Sequence, residues 1–304
     1  AHRATRVSRE RSVSMSRLRI AHISYLNSAP FFAGMRDETF QMVEMDPRAL
    51  GQAAEQGEVD AGLMSIVDTF GNPQFEPLGD LGIALYGAAH SVLLFSSKPV
   101  QELNGATIGI TGETSTSYPL LRLLLNGHFG VNPAAYVRRP NDPEVSDDAI
   151  LLIGDSALRR AARSGQEPGR RDYAAGILEL ETSRSEEPYK YVLDLSAAWR
   201  EWKGRPFVFA RWMVRREVAR EDRTMLLEAL LSSFDANMRR LKEVAADNAD
   251  RAGISAEAAY AYLMGFIYRF GDHGEEAIEI FRELLESTHW WETAPPVALE
   301  REGT

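Results

Sequence analysis

The chain contains no cysteine in 304 residues. Disulfides and thiolate metal sites are therefore excluded, and the absence fits the reducing cytoplasm, the location expected here. No apolar run approaches the roughly 20 residues needed to span a bilayer, so no membrane contact is expected. Positive charge is scarce: 34 Lys and Arg stand against 44 Asp and Glu, a formal net charge of −10. A sequence-independent nucleic-acid binder lays a basic surface on phosphates, and this balance argues against one. The six histidines (2, 22, 90, 128, 273 and 289) show no HExxH or comparable spacing, so no metal site is expected. The opening AHRATRVSRERSVSMSRLRI lacks the apolar stretch of about 7 to 15 residues of a secretory signal. With Met15 just before the first strand, residues 1–17 read as a disordered or appended extension, of which 1–14 stand outside the fold.

What is present is an α/β pattern. At 44% hydrophobic residues the chain has material for one large domain or for two lobes, each with its own core. LRIAHIS (18–24), FQMVEMD (40–46) and VDAGLMSI (59–66) read as short buried strands, and PRALGQAAEQG as a helix opened by Pro47 and closed by Gly57. LGIALYG and SVLLFSS add two strands. ATIGI (106–110) restarts the series, followed by a helix over 116–128 and strands at AYVRR and AILLIG. Between 163 and 188 charge, Gly and Pro rise and no apolar period runs, which predicts a mobile surface excursion. YVLDL, the helical SAAWREWKG and the strand RPFVFARWMV follow, then helical segments at 217–247, 255–269 and 273–288. Such alternation predicts largely parallel sheets with helices on both faces.

Parallel sheets present ligands at their strand ends, so the residues there carry the candidate chemistry. HISYLNSAP (22–30) sets Tyr25, Asn27 and Ser28 at the mouth of the first strand, closed by Pro30; Ser65 ends the third strand, and Ser91 follows His90 ahead of another. Each alone suits a turn cap or a local hydrogen bond. Together they point to a ligand held by neutral donors. TGETSTSYPLL (111–121) adds hydroxyls at consecutive positions, Thr114, Ser115, Thr116 and Ser117, at a strand-to-helix junction. One hydroxyl suffices as an N-cap worth about 1 kcal/mol; the free N–H groups and dipole of a helix start favour an anion such as a carboxylate.

Asp155, in LLIGDSAL, either faces the same cleft or caps the helix that follows. Arg211, beside Trp212, suits a solvated strand edge or a stacked surface group more than a carboxylate partner. His90 titrates near neutrality when unperturbed, yet no Ser-His-Asp arrangement can be drawn. Met264, Phe266, Ile267, Phe270, Ile278, Phe281 and Leu284 recur at helical spacing and read as core or partner contacts. HWW (289–291) suits packing on the fold or a contact in a homodimer.

At ISYLNSAPF, VDAGLMSI, SVLLFSSKPVQEL, TGETSTSYPLLRLLL, LLIGDSAL and RPFVFARW the chain resembles the chorismate dehydratase family of the futalosine route to menaquinone, over about residues 18–285. The YLN after the first strand favours that family over the sister enzyme making 1,4-dihydroxy-6-naphthoate. The resemblance implies a two-lobed fold like the type 2 periplasmic binding proteins, with the ligand in the cleft. Lobe 1 is then 18–104 plus 206–304, with the C-terminal helices, and lobe 2 is 105–205. It implies a dehydration of chorismate that needs no cofactor. Asn27 is expected to donate to developing charge and Ser91 to orient one substrate carboxylate, as catalytic residues. Ser115, Thr116 and nearby N–H groups are expected to receive the other, with Ser65, Thr114 and Asp155 also binding substrate. For the base, Asp155, His90 and the substrate's own enolpyruvyl carboxylate stand open. The rival from another class is a non-catalytic binding protein for a small carboxylate.

Overall fold

A computed structural model describes residues 17–35, 40–140, 147–169, 177–179 and 188–290. The opening apolar runs form β1 (Leu18–His22), β2 (Phe40–Glu44) and β3 (Ala61–Ser65), followed by β4 (Phe75–Leu85). Next come β5 (Val92–Ser96), β6 (Thr107–Thr111), β7 (Ala135–Arg139), β8 (Ala149–Ile153), β9 (Ile177–Glu179) and β10 (Tyr191–Asp194). The last strands are β11 (Phe207–Arg215) and β12 (Phe266–Arg269). They build two six-stranded sheets, ordered β12-β4-β11-β3-β1-β2 and β7-β6-β8-β5-β10-β9.

Helices α1 (Ala29–Phe32), α2 (Pro47–Gln56) and α3 (Ile66–Thr69) connect the first sheet, and α4 (Ser117–Leu123), α5 (Gly154–Arg163) and α6 (Leu195–Lys203) the second. The chain ends in α7 (Arg220–Arg239), α8 (Leu241–Ala252), α9 (Ala256–Met264) and α10 (Gly271–Ser287). Local chemistry sets several of these boundaries. Asp46 accepts the Ala49 N–H at 2.8 Å ahead of Pro47, and Gly57 ends α2 in the left-handed region at φ 75°. Asp194 plays the same part for α6, accepting the Ser196 and Ala197 N–H groups at 3.0 Å. Trp212, Leu63 and Ile83 of the first sheet pack against Leu226 and Leu230 of α7. In the second sheet, Leu94, Ile108 and Leu151 pack with Leu120, Leu121 and Trp199. Among the described residues no helix is long and apolar enough to cross a membrane.

The sheets are mixed rather than largely parallel. β1 is parallel to β2 and β3, and β6 to β7 and β8, as βαβ connections demand. β11, however, is antiparallel to both β3 and β4, and β5 to both β8 and β10. A strand arriving from the other sheet has no crossover helix on its new sheet, so the rule that makes βαβ units parallel does not bind it. The first crossing also lies earlier than residue 104: the chain leaves the first sheet after Leu85 and joins the second at Val92. The Val92–Phe95 centre of SVLLFSS is apolar and buried, and periodicity cannot tell which sheet a fully buried strand joins.

The C-terminal half carries two further corrections. The predicted helix at 217–247 is broken at Arg240 (φ −121°), between α7 and α8. The predicted helix at 255–269 stops at Met264, and FIYR pairs antiparallel with β4 as an edge strand, in keeping with its aromatic and β-branched residues. Met264 is accordingly 56% exposed, while Phe270, Ile278 and Phe281 are buried. Trp290 stacks edge-on against Tyr118, with the Arg122 guanidinium 4.5 Å above its ring. The excursion at 163–188 falls largely outside the described residues, as does the extension at 1–17 apart from Arg17.

Candidate functional site

Between the sheets lies a partly open cavity of about 70 Å³. Its apolar walls include Ile23, Leu63, Ile83, Val92, Phe209 and Phe266. Its polar groups are Asn27, Ser65, Ser91, Ser115, Thr116 and Ser117, with Tyr25 beside them. A largely apolar cleft with a few converging donors is the usual form of a small-molecule site.

Asn27 reaches this cavity from a tight turn. After β1 the backbone winds into one turn of 3-10 helix, Leu26–Ser28, which Pro30 carries into α1. The Ser28 hydroxyl is spent on that turn, donating to the Ile23 and Tyr25 carbonyls. Asp155 secures it from the second lobe, accepting the Leu26 N–H at 2.9 Å while pairing with Arg251 at 3.1 Å. Burial raises the Asp155 pKa, against the opposing pull of the Leu26 N–H and Arg251. Asp155 does not line the cavity. Neither alternative drawn from its position holds: it is not in the cleft wall, and its oxygens serve the Asn27 turn rather than α5.

Ser65 stands at the end of β3, paired across to Ala210 of β11. Next to Ala210, the β11–β4 register skips Phe209, an irregularity that puts its ring in the cavity wall. The Phe209 carbonyl accepts from the Thr116 hydroxyl at 3.2 Å, and Thr116 also receives the Val67 N–H at 3.3 Å. Thr116 thus ties the lobes together. Ser115 lies in the wall and gives its hydroxyl to Asp68. Ser117, the first residue of α4, is the third hydroxyl of that turn in the wall.

Thr114 departs from expectation. It hydrogen-bonds Thr111 at 3.1 Å and lines a neighbouring space with Arg48, Asp68 and Arg138, not the central cavity. His90 is also elsewhere: it sits at φ 57°, its N–H and that of Ala89 donating to Asp194 at 2.8 and 3.0 Å. Its left-handed backbone lets one buried carboxylate gather both N–H groups. Arg211 is no solvated edge residue. β11 runs between β3 and β4, and the buried guanidinium meets Glu275 through two bonds of 2.7 and 3.0 Å.

Two residues beyond the strand-end candidates, Tyr262 and Asp68, stand directly behind the wall. Tyr25, named at the mouth of the first strand, lies in the wall with its ring against Gly154. Burial, reinforced by the Glu113 carboxylate, pushes its pKa far up, so it remains a neutral phenol. Tyr262 of α9 donates to Ser91 Oγ at 2.8 Å, both residues being 2% exposed. Burial raises its pKa too, against the favourable contacts of Ser91 and Asn27. Asp68 is driven up to about 6 by burial. Glu113 stood within the hydroxyl-rich turn as a readable signal; Tyr262 sits in an apolar helical run that marks it only as core.

The chain matches the family described as menaquinone biosynthesis over residues 18–287. It is 32% identical over 270 residues to a chorismate dehydratase of Thermus thermophilus, covering 86% of this chain and 92% of that protein. In architecture it resembles an Archaeoglobus fulgidus protein with a TM-score of 0.70 at 20% identity, over 90% of this chain and 98% of that one. It also resembles the periplasmic aliphatic sulphonate binding protein of Escherichia coli, with a TM-score of 0.58 at 14% identity over 94% of each chain. The fold is therefore α/β and periplasmic-binding-protein-like.

Proposed function

The chain belongs to the menaquinone biosynthesis family, and from that premise we propose that it dehydrates chorismate to 3-[(1-carboxyvinyl)oxy]benzoate and water. The C3 hydrogen and the C4 hydroxyl leave together as water, the enolpyruvyl ether stays, and aromatisation of the ring drives the reaction.

One observation carries the mechanism: among the described residues lining the cavity there is no Asp, Glu, His, Lys or Arg. Tyr25 is the one ionisable group in the wall, and it is held neutral. Asp155 and His90 lie outside it, Asp68 stands behind Ser115, which takes up both its oxygens, and Glu113 is not in the wall either. The base is then the substrate's enolpyruvyl carboxylate, tethered through the ether at C3 and so delivered to the C3 proton at high effective concentration. The protein's task is to hold that geometry. Ser117 and the start of α4 receive the ring carboxylate, with Ser115 held beside them by Asp68, while Ser65 and Ser91 orient the side-chain carboxylate and Asn27 donates to charge developing on the ring. Fixed neutral donors suit a substrate that must keep a carboxylate basic, because a full cation beside it would lower its pKa.

Incubation with chorismate, followed by chromatography, tests this. Loss of chorismate with appearance of the aromatic enol ether is expected. Binding without conversion would favour a capture protein instead.

A further inference from the structure

Ser91, at the crossing into the second sheet, is held from the other lobe by one side chain. Tyr262 donates its phenol proton to Ser91 Oγ at 2.8 Å. The Tyr262 ring is fixed edge-on by Phe266, 4.9 Å away, itself part of the cavity wall. Ser91's own proton rests on the Ala89 carbonyl at a long 3.3 Å, a hold that an incoming carboxylate outcompetes.

We propose, resting on the dehydratase reading, that Tyr262 is a positioning residue that sets the direction of Ser91. By donating to Ser91 Oγ, it leaves the Ser91 hydroxyl proton free for substrate. A hydroxyl otherwise donates or accepts with equal ease. Held as an acceptor on its Tyr262 side, Ser91 meets the cavity as a donor, the polarity a carboxylate requires. Each bond in such a chain also polarises the next. Because Tyr262 is on α9 and Ser91 is at the crossing, the same contact fixes the crossing segment against the first lobe.

The test is a double-mutant cycle in turnover of chorismate with Tyr262→Phe and Ser91→Ala, each variant first checked for a cooperative thermal melt. Tyr262→Phe alone is expected to lower kcat/KM roughly 10- to 100-fold, mostly in kcat, the loss of a buried hydrogen bond. In the Ser91→Ala background it should cost less than about 3-fold more. Equal losses in both backgrounds would mean that Tyr262 serves the fold alone and would overturn the proposal.

A ligand-free measurement stands beside the cycle, using tyrosine isotope-labelled at the hydroxyl-bearing ring carbon. Ser91→Ala should move one tyrosine resonance, the one missing from Tyr262→Phe; should that variant unfold, the shift of a single buried tyrosine still tests the bond. No shifted tyrosine resonance sinks the proposal. Wild-type protein that leaves chorismate intact sinks the dehydratase reading, and with it Tyr262's part in it, whatever the resonances do.

Discussion

The Ser115 hydroxyl lies 2.8 Å from each oxygen of Asp68, joining the turn before α4 to α3 across the cleft. The acceptor is a carboxylate whose pKa stands at about 6 against an ordinary 3.8, chiefly through burial, with Glu55 adding to the rise and Ser115 and Arg48 opposing it. The raised value means that the folded protein prefers the neutral acid. The associated stability is present in full below about pH 4 and is lost as pH rises through about 6.

Asp68→Asn is therefore expected to stabilise the protein at pH 7 by up to about 3 kcal/mol, since it stays neutral and still accepts from Ser115. Thermal melts across pH 4 to 8 read this directly. Wild-type stability should decline between about pH 4 and 6, with a flatter profile for the variant. An Asn variant less stable than wild type at pH 7 would refute the assignment.

Asp155 supports the site from beneath. Asp155→Ala strands the buried Leu26 N–H and should cost about 1 to 3 kcal/mol. The Asn27 turn then loses its anchor and kcat falls with it. Asp155→Asn retains an acceptor for the same N–H, and the exposure of Arg251 makes the lost ion pair a small term. Urea titrations should place the Asn variant close to wild type and well above the Ala variant; equal midpoints for the two would leave the Leu26 bond without consequence.

Much of this arrangement could be read from residue order. The apolar runs of β1, β3 and β8 and the helix bounds Pro47 and Gly57 are local signals, and local physics realised them. Asn27, Ser65, Ser91, Ser115 and Thr116 share one cavity because strand ends converge wherever βαβ units stack. What stayed hidden depends on contacts distant in sequence. No local signal tells Asp155 to serve Leu26, 129 positions away, or Tyr262 to meet Ser91, 171 positions away. The crossing at 86–91 was equally silent, because a buried apolar strand looks the same in either sheet.

Asn27 itself is the sharpest point of attack on the mechanism. Its turn is held by Ser28 and Asp155 through bonds that do not involve its own amide, so Asn27→Ala should leave the melting temperature within a few degrees. Removal of a donor to developing charge is worth about 100-fold in kcat or more. Steady-state rates on chorismate give the answer, and a variant as fast as wild type would take Asn27 out of the mechanism.

Gly154 is required by both its backbone and its neighbour. It holds φ 59°, and a Cβ placed there would lie 2.8 Å from the Tyr25 ring. Its N–H also donates to the Ser91 carbonyl at 2.8 Å, so a displacement at this position reaches two sides of the cavity. Gly154→Ala combines a left-handed penalty of about 1 kcal/mol with a steric push on a ring that lines the cavity. Activity should fall further than stability does. The two costs separate in the Tyr25→Ala background, where the ring is gone: there Gly154→Ala should cost only its backbone penalty, read as a smaller shift in denaturation midpoint. A shift of the same size in both backgrounds would show that the Tyr25 contact is not what keeps this position a glycine.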